Sequence, residues 1–98
     1  MTVPWSLTTT APGRIDITIG VADDREAAVT AAQAAAQAAI RDARVSAAPA
    51  ARYELRAALD LVAIIQTGTD EAGCPDHAEA AELIRRIAID RAVSALPG

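Results

Sequence analysis

The chain has no Lys, no Asn and no Phe, and a single Cys, His, Trp and Tyr. Each shortage excludes something. One Cys cannot form an internal disulfide, and the cytoplasm is the expected compartment. Without Lys there is no Walker-type phosphate loop, and no Gly-x-Gly-x-x-Gly run replaces it. With one His, acid–base chemistry would need a carboxylate partner brought in by folding, so no catalytic residue is assigned. No apolar run reaches the ~18 residues of a membrane span. Residues 1–7 lack a basic stretch followed by an apolar one, so no secretory signal is expected.

What is abundant is Ala, 26 of 98 residues. The hydrophobic share of 52% therefore overstates the side chain available for a core, which must close by bringing backbones together across Ala faces. All nine basic residues are Arg, and with the Ala excess this matches the coding bias of a high-GC bacterium or its phage. The formal charge is −4, which disfavours nucleic acid as a partner. Arg85, Arg86 and Arg91 are interleaved with Glu79, Glu82 and Asp90, as on a solvated helix face.

The length is that of one domain, residues 1–98, able to bury roughly 60–70% of its unfolded surface. Residues 3–21 read as a β-hairpin: Trp5, Leu7 and Thr9 alternate with Ser6, Thr8 and Thr10, and Ile15, Ile17, Ile19 and Val21 with Asp16, Thr18 and Gly20. Ala11-Pro12-Gly13-Arg14 is the turn. A two-residue loop would pair Thr10 with Ile15 and put Trp5 and Leu7 opposite the Ile face. An odd loop would pair Leu7 with Ile19 and collect all the apolar residues on one helix-facing side, and this is the register expected.

Three helices are expected to follow. The first, residues 24–45, has a capping pair Asp23/Glu26 and a polar stripe Glu26, Thr30, Gln33, Gln37, Arg41 and Arg44. Its apolar arc is too wide for one neighbour, which implies either packing on two sides or Ala left in water. The second, residues 49–66, starts at Pro49 and carries Leu61-Val62-Ala63-Ile64-Ile65 as the most buried run; those five residues also fit a buried strand. In the helical reading Val62 and Ile64 are buried, and Leu59→Ala opens a costly cavity. The third, residues 76–95, is capped by Asp76 with Glu79 and has a core stripe Ala80, Leu83, Ile84, Ile87 and Ala88. The fold class expected is α+β, predominantly helical, in the order β-β-α-α-α.

Cys74 and His77 have the spacing of a metal pair, but lack the third and fourth ligands; no metal and no cofactor is expected. Surplus apolar surface is the strongest functional signal. Ile89, Val93 and Leu96 form a second stripe on the last helix, away from its core side, and Trp5 could anchor a partner as well as cap the core. These four are the candidate interface residues. The function expected is a non-enzymatic protein-interaction module (regulatory, adaptor or inhibitor) acting as a homodimer, with self-association and a protein partner but no membrane. The alternative is a small-ligand-binding or enzymatic domain with a pocket between helices or across a dimer seam, near His77, Arg52 or Tyr53.

Overall fold

The computed structural model describes residues 2–95, with side chains through residue 87. Among the described residues the elements run β1 (Val3–Ala11), β2 (Arg14–Ala22), α1 (Arg25–Val45), β3 (Arg52–Ala57), β4 (Asp60–Gln66) and α2 (His77–Ala95). The four strands form one antiparallel sheet in the order β2-β1-β3-β4. Both helices share one face of it.

The fold expected from sequence is corrected here. Among the described residues there are four strands in one sheet and only two helices, so the protein is not predominantly helical and not β-β-α-α-α. Residues 49–66 are a second hairpin instead of a helix. Arg52, Glu54 and Arg56 point away from the helices while Tyr53, Leu55 and Ala57 are buried beneath them, a period of two. The strand pairing slips between Leu55 and Arg56, where a β-bulge absorbs an extra residue. This turns Leu61 and Ile64 outward and leaves Ile65 in the core, so Ile64 is not the buried residue expected. Leu59 lies in the turn and is 92% exposed.

The register of the first hairpin also differs from expectation. Pro12-Gly13 is a two-residue loop: Thr10 pairs with Ile15, Leu7 with Thr18 and Trp5 with Gly20. Gly13 has φ 73°, the left-handed value the second corner of a Pro-Gly turn requires. Trp5 and Leu7 therefore face the helices, and Ile15, Ile17, Ile19 and Val21 face away. One apolar face per hairpin was the wrong constraint, because β1 is central and takes its helix-side neighbours from β3 as well.

Helix α1 begins at Asp24, not Asp23: its carboxylate accepts from the Ala27 N–H at 2.8 Å. Ala28, Val29, Ala32, Ala36 and Ile40 lie against the sheet. On the side read as solvated, Gln33 is buried and the Gln37 Nε2 donates to the Ala81 carbonyl of α2 at 3.2 Å. The helix is thus packed on two sides, sheet and α2, which is why so wide an Ala arc is tolerated. Asp76 caps α2 through the Glu79 N–H, and Ala80 and Ile84 are buried with Leu83 and Ile87 half-buried beside them.

Candidate protein interface on strand β2

Strand β2 lies at the edge of the sheet. Its outward row is apolar and exposed: Ile15 67%, Ile17 65%, Ile19 76% and Val21 68%. Next to it on the same face run Pro4, Ser6, Thr8 and Thr10 of β1. Beyond them comes a charged row on β3, where Glu54 Oε1 lies 3.6 Å from Arg52 Nη2 and 3.8 Å from Arg56 Nη2. Leu61 and Ile64 of β4 close the far side, both over two-fifths exposed. The apolar surface is therefore concentrated on β2, and an ionic row separates it from the smaller patch on β4.

The backbone of β2 is equally open. The Ala58 N–H donates to the Pro4 carbonyl at 2.7 Å, so the even-numbered residues of β1 bond toward the β3 side. Bonding directions alternate along a strand. The odd residues of β1 then bond to Asp16, Thr18, Gly20 and Ala22, and Ile15, Ile17, Ile19 and Val21 direct their N–H and C=O groups to the free edge. Edge strands are commonly blunted by Pro, by bulges or by charge. Within β2 there is no Pro and no bulge, and its charges, Arg14 and Asp16, pair with each other at 2.6 Å on the helix side.

Trp5 is half-buried on the helix side and packs on both core clusters. Its indole covers Gly20: a Cβ added there would lie 2.5 Å from the ring. Among the other candidate contact residues, the side chains of Ile89 and Val93 and the whole of Leu96 lie outside the described residues. The signal that sequence reasoning passed over was the Ile row itself, which was assigned to the core.

A cleft of about 560 Å³ opens between the C-terminal half of α1 and the helix side of the first hairpin. Ala35, Ala38 and Ala39 form one wall and Thr9, Asp16 and Thr18 the floor, with Tyr53 at its inner end. Burial raises the Tyr53 phenol above its ordinary pKa of 10.0. The three residues named for an alternative pocket do not converge. Arg52 is on the outer face, Tyr53 is in the core, and His77 is buried with Nε2 2.9 Å from the Ala48 carbonyl, tying the start of α2 to the segment after α1. Cys74 is exposed in a loop in which its N–H donates to Asp70 Oδ1. Among the described residues no group of three His, Cys, Asp or Glu side chains could hold a metal ion. No helix among them is long and apolar enough to cross a membrane.

Comparison with family models, with curated proteins and with solved structures finds no match for this chain.

Proposed function

We infer that the protein is a non-enzymatic interaction module, a regulatory, adaptor or inhibitor protein that works as a homodimer, with β2 as its contact surface. The observation that carries this reading is the row Ile15, Ile17, Ile19 and Val21, four β-branched apolar side chains exposed together on an open edge strand. Water-facing rows of this kind are uncommon on finished monomers and mark sites of association. Thr would satisfy the same strand propensity without the apolar surface, so the choice of Ile at three positions serves contact rather than local structure. The free, exposed Cys74 fits a reducing compartment, and the cytoplasm belongs to the same proposal.

Sedimentation velocity at micromolar concentrations tests it. The wild type is expected to sediment as a dimer. The double variant Ile17→Thr/Ile19→Thr keeps β-branching at both positions and is expected to sediment as a folded monomer. A strictly monomeric wild type rejects the reading.

A further inference from the structure

We propose that the occupant of the β2 edge is β2 of a second copy, paired antiparallel about a two-fold axis at Thr18, so that two four-stranded sheets join into one of eight strands. The proposal rests on the homodimer reading above and specifies its geometry. Pairing Thr18 with Thr18 of the partner subunit uses the whole strand. On the outer face it sets Ile15 opposite Val21 of the partner subunit and Ile17 opposite Ile19 of the partner subunit. On the helix side it sets Asp16 opposite Gly20 of the partner subunit and Arg14 opposite Ala22 of the partner subunit. No like charges meet, and every apolar residue of the row has an apolar partner.

Other registers are poorer. Centring the axis on Ile17 leaves Val21 opposite Gly13, which is in the turn. Centring it on Asp16 puts two carboxylates face to face. Shifting by one residue sets outward residues against helix-side ones, which the pleat forbids. The hydrogen bonding agrees with the chosen centre. The edge-facing groups belong to Ile15, Ile17, Ile19 and Val21, and these are the positions that become bonded pairs, about eight hydrogen bonds in all. Stacking the two outer faces instead would bury the Arg52–Glu54–Arg56 row against uncharged residues or against its own copy, at a large desolvation cost. In the joined sheet both α1 helices lie on the same side, and the clefts floored by Asp16 and Thr18 open toward the shared axis.

Crosslinking reads this register directly. Thr18 and its copy form a non-bonded pair, with Cα atoms about 4.5 Å apart, within the range of a disulfide. In a Cys74→Ser background, Thr18→Cys is expected to crosslink nearly completely under mild oxidation. Asp16→Cys, its copy about 13 Å away along the strand, is expected not to. Ile19→Pro removes an N–H that faces only the free edge and is expected to give a folded monomer by circular dichroism and sedimentation. A sedimenting dimer in which Thr18→Cys fails to crosslink overturns the edge pairing and leaves self-association standing. So does Asp16→Cys crosslinking as well as Thr18→Cys, or a folded Ile19→Pro that remains dimeric. Monomeric wild type overturns both.

Discussion

Two alanines sit where glycine is the usual residue. Ala47, just past α1, has φ 53°, and Ala58, in the turn between β3 and β4, has φ 56°. A Cβ in that region costs about 1–2 kcal/mol. At Ala47 the conformation lets the Ala48 N–H reach back to the Ala43 carbonyl at 2.9 Å and close the helix end. Ala47→Gly is expected to stabilise the protein by about 1 kcal/mol and raise the melting midpoint by roughly 4–8 °C in a calorimetric scan. The opposite holds at Gly20, where any Cβ strikes the Trp5 indole. Gly20→Ala should lose about 1–3 kcal/mol and alter the fluorescence of the single Trp. Tyr53 offers a third measurement. Its folded-state pKa lies above the unfolded value, so the protonated phenol contributes stability that is complete below about pH 10 and is lost as pH climbs through the folded pKa. Phenolate absorbance of the native protein should therefore rise later than that of the denatured chain, and a coincident pair of titrations would refute the assignment.

At the scale of elements, the second hairpin decides between the sequence reading and the structure. Leu55 is buried in β3 and Leu59 is exposed in the turn. Leu55→Ala is expected to cost about 2–5 kcal/mol in chemical denaturation. Leu59→Ala, the substitution a helix here would punish, is expected to stay within about 0.5 kcal/mol of wild type. The two long helices were legible because their signals are local: Asp76 caps the second as expected, the cap of the first lies one residue past Asp23 at Asp24, and Ala fills the turns between. The hairpin at residues 52–66 was less so. Arg52-Tyr53-Glu54-Leu55-Arg56-Ala57 does alternate, but Ala and Leu are also good helix formers, and the bulge erases the alternation from Leu61 to Ile65. Pro12-Gly13 carried the correct loop length for the first hairpin. The rule that a hairpin has one apolar face points the other way, and it fails here because Trp5 and Leu7 face the helices while the Ile row faces outward.

Over the whole molecule, the distribution of apolar side chains is uneven in a directed way. The helix side of the sheet closes its core with Tyr53, Leu55, Ile40, Val29 and Ile84, all nearly free of solvent contact, while four large apolar residues of β2 lie in water. If association through β2 stabilises the fold, melting is linked to concentration. The wild-type midpoint should climb as protein concentration is raised, whereas that of Ile17→Thr/Ile19→Thr should not move; the pair of differential scanning series checks this without any knowledge of a partner. The row on β2 was not legible as a candidate interface, for a physical reason. A strand such as β2 has the same composition whether its apolar row meets a helix, a sheet or another chain, and only the position of β2 at the edge tells them apart.

That position also has a consequence for how the chain comes into being. Strand β1 is central, and its second neighbour β3 lies beyond the whole of α1, so Trp5 must wait for Ala57 and Thr10 for Arg52. During synthesis the first hairpin emerges before α1 and β3, so its helix side and its β1 edge wait for their partners. Long-range pairings of this kind are slow to form, and nascent strands rich in Ile are prone to cluster while they wait. The outer row of Ile15–Val21 is therefore bare on both sides of the folding barrier, because β3 pairs with β1 and leaves β2 at the edge. Under the β2 pairing proposed above, nascent copies on one message would meet at this segment, where assembly would compete with misassembly.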